Sequence, residues 1–427
     1  MNVLLLGSGG RESAFAWKLS QSPILSNLFI APGNPGTIQF GTNIAINPTD
    51  FHGVKDIVLS NDIKLVVVGP EDPLVKGIHD FFLHDVELKN IPVIGPTRAG
   101  AMLEGSKDFS KGFMTRHGIP TASYRSFNVN QKDDAVKFLQ SLKSPYVLKA
   151  DGLAAGKGVV ICNELHEAEQ SLNQFFEGEF GDAGKTVVIE EFLSGIELSV
   201  FVLTDGKSYV LLPEAKDYKR IGEGDAGPNT GGMGAVSPVP FANNEFMARV
   251  EEDIVKPTIE GLQIEGIPYV GFIFVGLMNV DGNPYVIEYN ARMGDPETQV
   301  VLPRLKTDFL ELLLKASTGN LADTEVEFYP DTTTAVIMVS GGYPGVYQKG
   351  KVVSGLRIIP NGLVFHAGTS LNSNNDLVTA GGRVFACVGT ASSITSALDI
   401  SYNLAKSIDF EGKYYRNDIG KDLIKSI

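Results

Sequence analysis

The chain has 427 residues, enough for about three domains, and a composition of 43% hydrophobic and 20% charged residues that excludes intrinsic disorder and coiled coil. Lys and Arg number 36 against 50 Asp and Glu, a net charge of −14, so no general basic face is available to a nucleic-acid backbone and any anionic ligand must be met by a local cluster. Only two cysteines occur, Cys162 and Cys387, which excludes a disulfide framework or a zinc site built on clustered Cys and points to a reducing compartment.

The N-terminus enters an apolar run at once, without the charged and apolar regions of a signal peptide. The longest apolar stretch near the middle, residues 269–278, falls far below the ~18 residues of a membrane span. A cytoplasmic protein with no membrane or nucleic-acid partner is expected. Through the first hundred residues one event repeats: a β-branched or Leu-rich run, at 3–6, 28–30, 65–68 and 93–94, stops at Gly or Pro, and a helix-like stretch follows. Such runs predict a parallel sheet covered on both faces, its loops gathered at the edge where ligands bind. A second unit starts near Ser106, where 146–149, a Gly-rich loop and 159–161 read as strand, turn and strand, and 187–192, 197–203 and 209–212 add antiparallel strands. Residues 213–238 hold six glycines in 26 positions and read as a functional loop, longer than the ~12–15 residues of an idle one. A helix over 244–263, a hairpin of 271–279 and 284–290 around Asp281-Gly282, and an amphipathic helix over 305–318 follow. After Asp331, short strands with Gly-Gly turns at Gly341-Gly342 and Gly381-Gly382, and a helix around 394–408, predict a third domain.

Chemistry concentrates in a few segments. Gly7-Ser8-Gly9-Gly10-Arg11-Glu12 follows a strand and opens a helix, so its amides could hold a phosphate; a plain tight turn fits equally well, and Glu12 stands where a dinucleotide fingerprint needs its last glycine. Lys149-Ala150-Asp151-Gly152-Leu153-Ala154-Ala155-Gly156-Lys157-Gly158 is not a P-loop, because a strand follows it where a P-loop would open a helix. Its small residues let a hairpin lie over a polyphosphate while Lys149 and Lys157 offset the charge, which reads as a lid over a nucleoside triphosphate. Glu190 and Glu191 point to opposite faces of their strand; one could accept from a purine amino group or ribose hydroxyl while the backbone of Phe192 and Leu193 reads the base edge, and solvated edge-strand acids are the competing reading. Glu288 and Asn290, at i and i+2, offer two hard oxygens on one face, suited to Mg²⁺ beside phosphates, with the planar fork of Arg292 next to them for a transferring phosphoryl group or a carboxylate. Lys216-Asp217-Tyr218-Lys219-Arg220 supplies cations, and the glycines of 228–234 supply unhindered amides. The six histidines form no ligand cluster, no Ser-His-Asp or Cys-His pattern is present, and Trp17 and Phe81-Phe82 read as core.

Together these segments, with Pro32-Gly33-Asn34, Gly69-Pro70-Glu71, Leu103-Glu104-Gly105-Ser106-Lys107, Gly294-Asp295-Pro296-Glu297-Thr298 and Ser340-Gly341-Gly342-Tyr343-Pro344-Gly345, resemble the phosphoribosylamine–glycine ligase (glycinamide ribonucleotide synthetase) family of the ATP-grasp superfamily. The resemblance implies an α/β and α+β multidomain fold: an N-terminal parallel α/β domain at 1–105, an ATP-grasp domain at 106–330 with a mobile lid at about 120–193, and a C-terminal α+β domain at 331–427. It implies ATP-dependent ligation of glycine to 5-phosphoribosylamine through a glycyl phosphate, in purine biosynthesis. By position it assigns Lys107, Lys149, Gly156, Lys157 and Gly158 to the ATP phosphates, Glu190, Glu191, Phe192 and Leu193 to the adenine, Glu197 to the ribose, and Glu288 and Asn290 to Mg²⁺ or Mn²⁺. Arg292, Lys219 and Asp217 would act in catalysis, and Gly9, Gly10, Arg11, Glu12, Asp295 and Pro296 would face the sugar phosphate and glycine. The family commonly carries His where this chain has Ser13, and again where it has Tyr218. Ser13 cannot titrate near neutral pH, whereas Tyr218 is expected to alter packing more than chemistry. Another ATP-grasp ligase, or a nucleotide-binding module without turnover, stands as the alternative.

Overall fold

Residues 3–6 and 65–68 are apolar on both faces and buried on both, which places their strands, Asn2–Gly7 and Ile63–Val68, side by side in the middle of a parallel sheet. The computed structural model describes residues 1–152, 158–178 and 181–424, and gives this sheet the order Thr42–Asn43, Asn27–Pro32, Asn2–Gly7, Ile63–Val68, Val93–Ile94. The edge strand Thr42–Asn43, two polar residues, carries no sequence signal of its own. The register brings the turns at Gly7, Gly33 and Gly69 together, and a Cβ on either Gly7 or Gly69 would strike the Glu12 side chain.

A four-stranded antiparallel sheet, in the order Tyr124–Asn128, Thr186–Glu191, Tyr146–Ala150, Val159–Cys162, forms the lid. Its core is its own, with helices Lys132–Ser141 and Leu165–Phe176 burying Leu139, Leu172 and Phe175 against one face.

The body is an eight-stranded antiparallel sheet in the order Asn283–Asn290, Gly271–Val280, Ile196–Thr204, Tyr209–Asp217, Gly234–Ser237, Thr332–Val339, Arg383–Ala391, Gly362–His366. Two sequence expectations change here. Residues 213–238 are not one long loop: Tyr209–Asp217 runs on through Lys216, Gly234–Ser237 pairs back onto it, and Arg220–Gly222 with Ala226–Asn229 forms a small ribbon. The glycines serve its turns, with positive φ at Gly224, Gly227 and Gly232. Nor do the strands after Asp331 build a sheet of their own, since Thr332–Val339 and Arg383–Ala391 extend the body sheet by eight and nine residues.

The helix expected over 244–263 is Asn244–Val250 and Lys256–Ile264 joined by a π turn at Glu251–Val255. The one expected from 305 starts at Phe309, where the Asp308 carboxylate caps the free amide of Glu311. One core spans the N-terminal and body sheets: Phe15 on the helix Gly10–Leu19 stacks on Phe272 at 5.8 Å and Phe309 at 5.6 Å, in a cluster that includes Ala335 and Val388. Among the described residues no helix is long and apolar enough to cross a membrane.

Candidate active site

The lid sheet faces the ends of the body strands across a cleft of about 1090 Å³. Its lining gathers Lys107, Lys149, Gly158, Glu190, Glu191, Phe192, Leu193, Glu197, Asp217, Lys219, Glu288, Asn290, Arg292, Asp295 and Arg11 from segments far apart in sequence. Gly156 and Lys157 lie outside the described residues. Gly9, Gly10, Glu12 and Pro296 sit behind the lining. Pro296 packs on Gly232, where a Cβ would come within 2.4 Å of the proline ring.

At the lid end, Glu190 Oε2 lies 3.0 Å from both Lys149 and Lys111, all three side chains almost wholly buried, while Glu190 Oε1 is buried without a partner. Burial outweighs the pull of Glu190 and pushes the Lys111 ammonium down to about 8. Lys111 had no assigned role, although its place one turn after Lys107 puts the two on one helix face. Glu191 points the other way, as the strand period requires, and accepts from the Ser123 amide at 2.9 Å. Lys107 donates to Gly152 O at 3.0 Å, tying the helix Lys107–Arg116 to the root of the Gly-rich loop.

At the body end, the bidentate potential of Arg292 is taken up by two carboxylates from the N-terminal domain. Its Nη2 is 2.8 Å from Glu104 and its Nε 3.3 Å from Glu71. Burial, resisted by Arg292 and reinforced by Glu71, pushes Glu104 up to about 7 even though it also accepts from the Ala291 amide at 2.8 Å. Sequence reading found Glu71 and Glu104 inside motifs without giving them a task.

Beside them Lys219 pairs with Glu197 at 2.6 Å; burial works against its charge, but Glu197, Asp217 and Glu288 outweigh burial and hold the ammonium above its ordinary range. Burial and then Asp217 push Glu297 up to about 8, and burial with Glu197 raises Asp217. This crowd of carboxylates around Glu288 and Asn290 carries negative charge that a divalent cation would relieve, so the donor set fits one. Among the described residues no group of three His, Cys, Asp or Glu side chains is arranged as a metal site. One carboxylate and one amide suit an ion that takes its other ligands from phosphate and water.

The start of the helix Gly10–Leu19 answers the question its glycines raised. The Gly9 amide donates to Glu12 at 2.6 Å, and the Asp295 carboxylate lies against Gly9 and Gly10, so the helix end is already met by anions. Arg383 and Arg11 outweigh burial and lower the Asp295 pKa. Arg383 sits 3.2 Å from the Asp295 carboxylate and also donates to Gly231 O; with Tyr343 it brings the third domain to the cleft, and a lone Arg after a Gly-Gly turn gave no warning of it. Ser13 is buried, donating to His366 O at 2.6 Å and accepting from Asn34. Tyr218 is buried with its hydroxyl donating to Asp422 at 2.6 Å and its ring under Lys216, a packing role.

Family models described as the phosphoribosylglycinamide synthetase N domain, ATP-grasp (A) domain and C domain match residues 1–104, 105–298 and 333–422. The chain is 47% identical over 428 residues to a phosphoribosylamine–glycine ligase of Chlorobaculum tepidum, covering 98% of this chain and 99% of that one, and 43% identical to one of Yersinia pestis over 426 residues, covering 98% of each. A crystal structure of phosphoribosylamine–glycine ligase from Thermotoga maritima superposes with a TM-score of 0.85 at 35% identity, covering 98% of this chain and 100% of that one. The biotin carboxylase domain of a Hydrogenobacter thermophilus 2-oxoglutarate carboxylase shares the fold, with a TM-score of 0.71 at 17% identity, covering 97% of this chain and 91% of that one.

Proposed function

The chain belongs to the phosphoribosylglycinamide synthetase family, and on that premise we propose that it ligates glycine to 5-phosphoribosylamine with ATP, giving glycinamide ribonucleotide, ADP and phosphate in purine biosynthesis. The observation that carries the reading is the single cleft in which Lys149 and Gly158 of the lid face Glu288, Asn290 and Arg292 of the body. In this reading the domains divide near 105 and 330, with 120–193 as the lid. The cytoplasm is its compartment, in keeping with two free, buried cysteines.

A carboxylate is a poor acyl donor, so a glycine oxygen first attacks the γ-phosphorus of ATP. The bond to the ADP oxygen breaks and glycyl phosphate forms. Lys107 and Lys149, with Lys157 and the Gly156 and Gly158 backbone, offset the triphosphate charge; Glu190, Glu191, Phe192 and Leu193 hold adenine and Glu197 the ribose. Arg292, fixed by Glu104 and Glu71, stabilises the transferring group. Mg²⁺ or Mn²⁺ held by Glu288 and Asn290 would neutralise phosphate charge. The sugar amine then attacks the acyl carbon, phosphate leaves, and the nitrogen loses a proton. Asp217, Lys219, Asp295, Pro296 and the Gly9, Gly10, Arg11, Glu12 turn orient glycine and the amine, and lid closure excludes water from the acyl phosphate.

The test is mass spectrometry of products from ATP, glycine and freshly generated phosphoribosylamine. Glycine labelled with ¹⁸O in its carboxylate is expected to yield glycinamide ribonucleotide and ¹⁸O-phosphate. Absence of the ribonucleotide would overturn the reaction, and product with unlabelled phosphate would overturn the acyl phosphate.

A further inference from the structure

Arg416 is the largest fully buried side chain of the molecule, 1% exposed, and it lies outside the cleft lining. A buried guanidinium is strongly unfavourable unless its donors are satisfied. Here they are: Nε and Nη2 make a bidentate pair with Asp418 at 2.8 and 2.7 Å, and Nη1 reaches Asp225 at 2.7 Å and Arg220 O at 3.0 Å. The last two acceptors belong to the ribbon that follows Asp217.

Neighbours of Arg416 repeat the pattern along the chain. The Tyr414 hydroxyl donates to Ile221 O at 3.0 Å, Asn417 Nδ2 donates to Glu223 at 2.9 Å, and Asp418 accepts from the Gly224 amide at 2.7 Å. Asp422 takes the Tyr218 hydroxyl at 2.6 Å and pairs with Lys216 at 3.0 Å. Residues 414–422 thus hold residues 216–225 at successive points.

The ribbon needs such support. Arg220–Gly222 and Ala226–Asn229 form a sheet of two short strands, marginal alone, and its turn carries positive φ at Gly224, Asp225 and Gly227. Its other side lines the cleft through Asp217, Lys219, Arg220, Asp225, Asn229 and Thr230.

We propose that the C-terminal segment, with Arg416 as its anchor, is a positioning element of the substrate site: it fixes the shape in which the ribbon presents Lys219, Arg220 and Asn229 to the acceptor amine and glycine. The inference rests on the proposed ligase reading, which gives this side of the cleft to the two non-nucleotide substrates. The nucleotide end is held separately, by Lys107, Lys111, Lys149 and Glu190.

Arg416→Lys keeps the charge and loses the planar fork. It is expected to raise KM for phosphoribosylamine or glycine on the order of 10- to 100-fold, the scale of a misplaced positioning group, with the ATP dissociation constant within about twofold of the parent. Hydrogen exchange is expected to accelerate at 220–229 and not in the lid. Parental KM values in Arg416→Lys and Arg416→Ala alike overturn the proposal, as does a rise shared equally by ATP. If Arg416→Ala does not fold, the Lys variant decides alone. Should the parent make no glycinamide ribonucleotide, the ligase reading fails while exchange at 220–229 still reads the anchoring: faster exchange in Arg416→Lys supports it, and unchanged exchange overturns it.

Discussion

Replacing Glu190 by Gln probes how the lid end of the cleft tolerates its own cations. Glu190 Oε2 stands 3.0 Å from Lys111 and Lys149, whose side chains are only 3% and 6% exposed. Gln keeps the shape and removes the counter-charge, and breaking a buried pair from one side costs about 3–5 kcal/mol. Lys111 sets a ceiling on that loss. Burial already holds it down at about 8 against an ordinary 10.5, so without Glu190 it sheds its proton instead of remaining charged. At pH ~7.5 a neutral lysine costs about 4 kcal/mol, at about 1.4 kcal/mol per pH unit. A lysine lowered by folding binds fewer protons in the native than in the unfolded state, so its contribution to stability rises with pH between its native and unfolded pKa values. In the parent that window opens at about 8. In Glu190→Gln it opens lower, so between pH ~6.5 and ~8 the variant is expected to regain up to about 1.4 kcal/mol per unit while the Lys111 contribution in the parent stays level. Denaturant unfolding with hydrogen exchange across the lid, at several pH values, reads this directly. A variant as stable as the parent at pH ~6.5, or a deficit that does not shrink with pH, would refute the reasoning.

Four further outcomes are expected. Arg292→Ala should lower kcat about 10²- to 10³-fold with ATP affinity largely kept, measured by steady-state kinetics and calorimetry, and an unchanged kcat removes its role. Glu288→Ala should shift the Mg²⁺ titration of activity upward by about tenfold or more, and a superimposable titration counts against the assignment. Glu104, pushed up to about 7 and facing Arg292, Glu71, Arg11 and Tyr269, loses its charge and its ion pair as pH falls through that value. The kcat profile of the parent should therefore drop on the acid side, and Glu104→Gln should be slow and flat across the same range. Phe309→Ala removes a ring that stacks on Phe15 and should cost about 3–5 kcal/mol in urea unfolding, whereas a loss below about 1 kcal/mol would mean that the site collapses around the deletion.

Much of this molecule was legible in its sequence because periodicity and punctuation agree. The runs at 3–6 and 65–68 are apolar on both faces and ended by glycine, and they became buried parallel strands. The hairpin around Asp281-Gly282 and the opposed directions of Glu190 and Glu191 followed from the pleat alone. Residues 213–238 misled because glycines at turns look like glycines in a loop, and the pairing of Lys216 with Val236 is fixed by register with a neighbour that sequence does not reveal. Glu104, Arg383 and Arg416 had no local signal: each acquires its task from a partner 187, 88 or 191 positions away. The helix at Gly10 drew attention to an anion site, yet Glu12 and Asp295 meet that end from within the chain.

The body sheet that runs without a break through position 330 has a practical corollary for anyone dividing this enzyme into pieces. Severing the chain there would part Gly234–Ser237 from Thr332–Val339 and bare an unpaired strand edge on each fragment, a template for self-association. The lid, whose hydrophobic cluster is complete in itself, is the portion to transplant or express alone.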